Sequence, residues 1–175
     1  MAFKLILALA IKNGLKTTDV FNQYVDIATL GTIADVVPLL GENRVIVDKG
    51  LKLLHNPKRI GIRAIMEVAG VLDKPLNAST IAFSIAPRLN AAGRLGSAAT
   101  AVELLLTNDE SRARELALLL DTENKERQQT ERQIFDEALE LIAKDPNFEK
   151  KKVIVLAQEN WHQGVIGIVA SRLCD

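Results

Sequence analysis

Apolar positions recur in short runs through the first hundred residues, vanish across residues 121–133, and return as a β-branched cluster near the end. Phe3, Leu5, Ile6, Leu7, Leu9 and Ile11 form a run of helical character closed by Asn13-Gly14. Residues 26–38 are apolar and buried in character. Periodicity leaves helix and strand open there, and Pro38 and Gly41 end the segment. Residues 43–54 predict an amphipathic helix with Val45, Ile46, Leu51 and Leu54 as core positions, and His55 as a side chain capping its C-terminus. Further short helices are predicted over 62–71, over 79–86 with a stop before Pro87, and over 97–106 with Val102, Leu105 and Leu106 facing inward. Gly93 and Gly96 bracket a turn before the last of these.

The next segment differs in kind. Thr107-Asn-Asp-Glu110 matches a capping box, and no Pro or Gly follows until the chain reaches Pro146. A helix of about 35 residues is expected, reaching roughly 50 Å at about 1.5 Å per residue. Its ends are apolar and its middle, 121–133, is polar throughout. A packed surface helix needs a continuous apolar stripe, so this pattern predicts a bridge between two bodies. Beyond Pro146, Val153-Ile-Val-Leu-Ala157 reads as a buried strand, 158–164 as a loop, and 165–173 as a helix. A strand, a loop and one helix cannot bury their own faces, so this last unit is expected to be part of a larger domain. The predicted class is α/β, predominantly helical.

Composition narrows the function classes. The chain has 175 residues, 48% hydrophobic and 25% charged, which is ordinary for a chain with a buried core. Its apolar runs are too short to span a bilayer, Met1–Ala10 lacks the layout of a signal peptide, and a membrane partner is not expected. One cysteine, Cys174, excludes an internal disulfide and a cysteine-based zinc cluster; it is expected to pack as a small residue in a reducing, cytoplasmic setting. Formal net charge is zero, yet residues 1–106 carry 12 Lys and Arg against 8 Asp and Glu, and residues 107–175 carry 10 against 14. Any contact with nucleic acid must therefore come from local arginines, and aromatics at 4% leave no room for a broad base-stacking platform.

Three short segments could carry chemistry. In Gly31-Thr-Ile-Ala-Asp35-Val-Val-Pro38, Asp35 is a carboxylate in an apolar stretch, which costs several kcal/mol to bury without a cation or donors. It is a candidate metal ligand, a partner for a buried Arg, or a plain helix-end carboxylate. In Pro87-Arg88-Leu-Asn90-Ala-Ala-Gly93-Arg94-Leu-Gly96, guanidinium forks and an amide flank small residues that let a ligand approach the backbone. That suits a phosphodiester backbone; the bland reading is a tight turn whose arginines pair with acids elsewhere. In Asn160-Trp161-His162-Gln-Gly164-Val-Ile-Gly167, a Trp and a His open a glycine-bearing helix start of the kind that attracts anions, unless the Trp simply fills a core. Two histidines 107 positions apart make no zinc pair, and neither a Walker loop nor a dinucleotide-binding glycine motif is present.

Taken in order, these three segments resemble the RecJ single-stranded-DNA exonucleases of the DHH phosphoesterase superfamily. The resemblance runs from Ala2-Phe3-Lys4-Leu5 to Leu173. It implies a catalytic DHH domain and a smaller DHHA1 domain joined by a long helix. Residues 1–106 would be the C-terminal part of the first, 107–146 the connector, and 147–175 the opening strand and helix of the second. It implies hydrolysis of single-stranded DNA from the 5′ end with two divalent cations, Mn²⁺ or Mg²⁺, in DNA repair and recombination. Asp35 matches the last metal-binding aspartate of the DHH domain. Arg88, Asn90 and Arg94 match its strand-contacting motif, and Trp161, His162 and Gly164 match the opening motif of DHHA1, which faces the bound strand. The implied partners are single-stranded DNA, a single-strand-binding protein and a helicase. The family's Asp-x-Asp and Asp-His-His ligands do not occur here, so the chain reads as an internal piece of a longer enzyme, inactive alone and prone to self-associate. Two further readings stand beside this one: a DHH phosphodiesterase for short oligonucleotides or cyclic dinucleotides, and a non-catalytic helical binding module.

Overall fold

The computed structural model describes residues 1–174; Asp175 lies outside the described residues. The architecture is helical: α1 (Ala2–Lys12), α2 (Thr17–Ala34), α3 (Gly41–Leu54), α4 (Ile60–Val68), α5 (Ala78–Thr80), α6 (Ala86–Leu95), α7 (Ala99–Leu106), α8 (Glu110–Ala143) and α9 (Gln163–Leu173). A π-helical turn, Ile81–Ile85, joins α5 to α6, and a short 3-10 turn, Phe148–Lys150, follows α8. No described helix is long and apolar enough to cross a membrane.

Two hydrophobic cores organise these elements. The larger gathers Leu30 and Ile33 of α2, Val47 and Leu54 of α3, Ile62, Ile65 and Met66 of α4, Ile81 and Ile85 of the π-turn, Leu104 of α7, and Ala113, Leu116, Ala117 and Leu120 of α8. The smaller gathers Ile134 and Ala138 of α8 with Val165 and Val169 of α9, flanked by Phe135, Leu156 and Trp161. α8 therefore lends its first third to one core and its last third to the other, as the apolar ends of its sequence predict. Each fully buried Leu or Ile contributes about 1.5–3 kcal/mol by leaving water.

Several local expectations change. The helix expected to stop before Pro87 continues through it. The π-turn lets Ala86 donate to the Ile81 carbonyl, so Pro87, which has no N–H, falls at the start of α6 without breaking the rod. Gly93 consequently lies inside α6, and only Gly96 ends it. Inward faces shift by one or two positions: Val45, Val102 and Leu106 are exposed, whereas Val47 and Leu104 are buried. The α8 cap is Asp109, which accepts from the Arg112 amide, rather than Thr107. His55 occupies the C-cap position of α3, where its backbone N–H donates to the Leu51 carbonyl oxygen. Cys174 is exposed rather than packed.

The predicted strand at 153–157 is not formed among the described residues. Val153 and Val155 are exposed, and a strand needs a laddered neighbour that these helices do not provide. The described fold is thus mostly helical, without the β component of an α/β class.

Close helix approach rests on glycine. A Cβ at Gly61 would stand 1.7 Å from the Leu104 carbonyl oxygen, whereas none of the atoms compared comes within 4 Å of one at Gly31. Gly61→Ala is expected to cost about 1–3 kcal/mol in urea unfolding, and Gly31→Ala to gain up to about 1 kcal/mol from helix propensity. Equal effects would contradict this packing.

Candidate nucleic-acid interface

The Pro87–Gly96 and Asn160–Gly167 segments lie 70 residues apart, counted between Arg94 and Gly164, and meet in space. The C-terminal end of α6 abuts the N-terminal end of α9. The Arg94 Nη1 donates to the Gly164 carbonyl oxygen at 3.1 Å. Reciprocally, the Gly164 Cα sits against the backbone of Arg94: a Cβ there would come within 2.3 Å of the Arg94 carbonyl oxygen. Only glycine permits this approach. Asn90, one turn before Arg94, is exposed, and so is Arg94 itself.

His162 is the N-cap of α9. Its Nδ1 accepts from the Gly164 amide at 3.1 Å, so in the neutral ring Nε2 carries the proton and is the atom able to donate outward. Trp161 is half-buried. Its indole N–H donates to Glu137 of α8 at 2.7 Å, and its ring lies against the smaller core. The hydrogen bonds from Gln133 and Trp161 hold the Glu137 carboxyl below its ordinary range.

Arg88 occupies a different position from Arg94. Its Nε donates to Asp121 of α8 at 2.8 Å, and its Nη1 donates to the Ser84 carbonyl oxygen of the π-turn at 2.5 Å. Both side chains of the Arg88–Asp121 pair are largely shielded from solvent. Burial pushes the Asp121 carboxyl up, but Lys125 and Arg88 outweigh it and hold the group below its usual value. Arg88 thus ties the π-turn and α6 to the connector helix.

The polar middle of α8 is accordingly not a solvated span. Asp121 and Asn124 are buried. Arg127 donates to Glu131 at 2.5 Å and to Asn124 at 3.1 Å, and Glu131 also accepts from Arg172 of α9 at 2.8 Å. The Arg172 guanidinium lies 4.4 Å from the centre of the Phe135 ring. Glu123, facing Gly96, has a buried oxygen without a hydrogen-bond partner among the described residues; burial, and then the charge of Glu126, push its carboxyl up. Sequence reasoning missed Asp121, Glu131 and Glu137 as the acids that seat these motifs, because charges in a polar helix segment read as solvent-facing. The available signal was the absence of any apolar stripe to hold α6 and α9 there.

Asp35 stands apart. It is the exposed C-cap of α2, at the edge of a hollow of about 390 Å³ lined also by Gly31, Thr32, Val37, Glu42 and Asn43, with no residue of α6 or α9. The next residue, Val36, has φ +51, a left-handed conformation that a β-branched residue rarely adopts and that costs roughly 1–3 kcal/mol. Among the described residues, no three His, Cys, Asp or Glu side chains gather as a metal cage.

No family model matches the chain. Individual relatives do. The chain is 42% identical to the single-stranded-DNA-specific exonuclease RecJ of Bacillus subtilis over 88% of its own length and 19% of that protein's. It is 42% identical to RecJ of Haemophilus influenzae over all of its own length and 32% of that protein's. The crystal structure of Thermus thermophilus RecJ in complex with Mn²⁺ superposes with a TM-score of 0.84 at 42% identity, covering 98% of this chain and 25% of that one. The chain spans between a fifth and a third of the length of these curated relatives. Over almost its whole length, this chain is similar in both sequence and fold to one part of the longer RecJ exonucleases.

Proposed function

We propose that the chain is part of a metal-dependent exonuclease that hydrolyses phosphodiester bonds of single-stranded DNA from the 5′ end, in DNA repair and recombination. The observation that carries the strand-binding half of this reading is the Arg94–Gly164 junction. It fuses two segments distant in sequence into one surface of donors: the Arg94 guanidinium, the Asn90 amide and the His162 Nε2–H, beside the amide-rich start of α9. Such donors contact phosphates and fix the register of a strand without reading its bases. Trp161, held by Glu137, braces the loop that carries His162. Arg88 contributes from beside this surface, where its largely shielded guanidinium is committed to Asp121 and the Ser84 carbonyl oxygen.

In this reading residues 1–106 belong to the DHH catalytic domain, 107–146 to the connecting helix and 147–175 to the start of DHHA1. The two cores bridged by α8 support that division. Asp35 is one ligand of a Mn²⁺ or Mg²⁺ site. Among the described residues no cluster of three His, Cys, Asp or Glu forms around it, so in this reading the other ligands are ones the family carries elsewhere. The partners are single-stranded DNA, a single-strand-binding protein and a helicase, in the cytoplasm. The apolar side chains of Leu5, Leu9, Ile11 and Val45, all exposed, favour self-association of the isolated chain.

Three outcomes are expected. The purified chain with Mn²⁺ leaves labelled single-stranded DNA intact; metal-dependent degradation would contradict the incomplete-site reading. Arg94→Ala weakens binding to every strand sequence alike and lowers the salt slope by about one. Arg88→Ala weakens binding too, and additionally destabilises the fold by about 1–3 kcal/mol, because Asp121 is left with the exposed Lys125 alone and the Ser84 carbonyl loses its side-chain donor. A loss confined to particular base sequences would rule out phosphate contact.

A further inference from the structure

Phe83 is 82% exposed, although it lies in the middle of the rod formed by α5, the π-turn and α6. Its neighbours Ile81 and Ile85 are fully buried in the main core. Among the described positions of the rod, Ser79, Phe83, Asn90, Gly93 and Arg94 are exposed, with Pro87 half-buried between Phe83 and Asn90. Phe83 therefore extends the same solvent face that carries Asn90 and Arg94. From Phe83 to Arg94 the rod advances roughly 16 Å at about 1.5 Å per residue, the length of about four or five stacked nucleotides at roughly 3.4 Å each.

The backbone that presents this ring is itself unusual. A π-turn is rare and frequently marks a functional position. Here it is stitched in place, since Arg88 donates to the Ser84 carbonyl oxygen and pairs with Asp121. Ala91 and Ala92, on the opposite side, are fully buried. An apolar ring exposed on a pinned segment, in line with an amide and a guanidinium, matches how single strands are held: cations follow the backbone while bases stack on an aromatic face.

We propose that Phe83 is a base-stacking contact for single-stranded DNA lying along the exposed face of the π-turn and α6. This rests on the strand-binding reading above and adds to it a contact with the bases themselves. One ring suffices for such a contact, and it is sequence-tolerant because every base offers a π-face.

The test uses the purified chain and fluorescence anisotropy with labelled oligothymidine and with an abasic oligonucleotide of equal length. Phe83→Leu keeps apolar bulk but removes the ring. It is expected to weaken oligothymidine binding by about five- to a hundred-fold, to leave abasic binding unchanged, and to keep the salt slope and melting temperature of the parent. Phe83→Trp is expected to retain affinity and to show fluorescence quenching on addition of oligothymidine. Unchanged oligothymidine binding by Phe83→Leu, or equal losses on both oligonucleotides, overturns the proposal and leaves the arginine surface standing. A lowered melting temperature also overturns it, since the ring would then be a packing residue. Failure of the parent chain to bind either oligonucleotide overturns both readings together.

Discussion

Everything at the junction of α6 and α9 depends on one backbone contact. Gly164 lies so close to Arg94 that a Cβ would enter the space of the Arg94 carbonyl oxygen at 2.3 Å. A methyl group there must push α9 away from α6, and with it the loop bearing Trp161 and His162. Arg94 makes the contact mutual by donating to the Gly164 carbonyl oxygen. The glycine is thus required for closeness between two segments, a reason distinct from the left-handed turns at Gly14, Gly41 and Gly70.

The polar stretch of α8 holds the two segments at that distance. Its acids act as sockets: Asp121 receives Arg88, Glu131 receives Arg127 and Arg172, and Glu137 receives the Trp161 indole. Isolated surface pairs contribute little, typically under about 1 kcal/mol. The Arg88–Asp121 and Arg127–Glu131 pairs are shielded on both sides, and leaving one member unpaired costs more than the pair gains. A purely apolar seam would tolerate sliding between α6, α8 and α9, whereas directional bonds at three points along α8 fix one register. The helix therefore bridges two cores and also templates the surface between them. The strained Val36 beside Asp35 shows a comparable local cost at the other end of α2, where the carboxylate sits in its own hollow.

Much of this was legible in the sequence where the signal was local. The long helix and its two apolar ends followed from the sequence, whereas its middle at 121–133, read as a solvated bridge, packs against α6 and α9. The motif order pointed to the RecJ family, and the relatives agree along the chain's length. Failures came where distant partners decide. The short apolar, β-branched run at 153–157 suggested a buried strand, but a strand exists only with a neighbour. Pro87 read as a helix stop because the π-turn that accommodates it leaves no simple sequence mark. The inward faces of α3 and α7 slipped by one or two positions because periodicity alone cannot say which neighbouring helix a stripe meets. Charges at 121, 131 and 137 read as wet because their partners on α6, on α9 and in the loop before α9 are 24 to 41 residues away.

The central claim is that Arg94 and Gly164 form one binding unit. A double-mutant cycle on single-stranded DNA affinity, with Arg94→Ala, Gly164→Ala and the pair together, measures it directly. If the unit exists, each single substitution weakens binding and the double mutant is little worse than either single one. Fully additive losses, or a Gly164→Ala protein that binds as tightly as the parent, would contradict it.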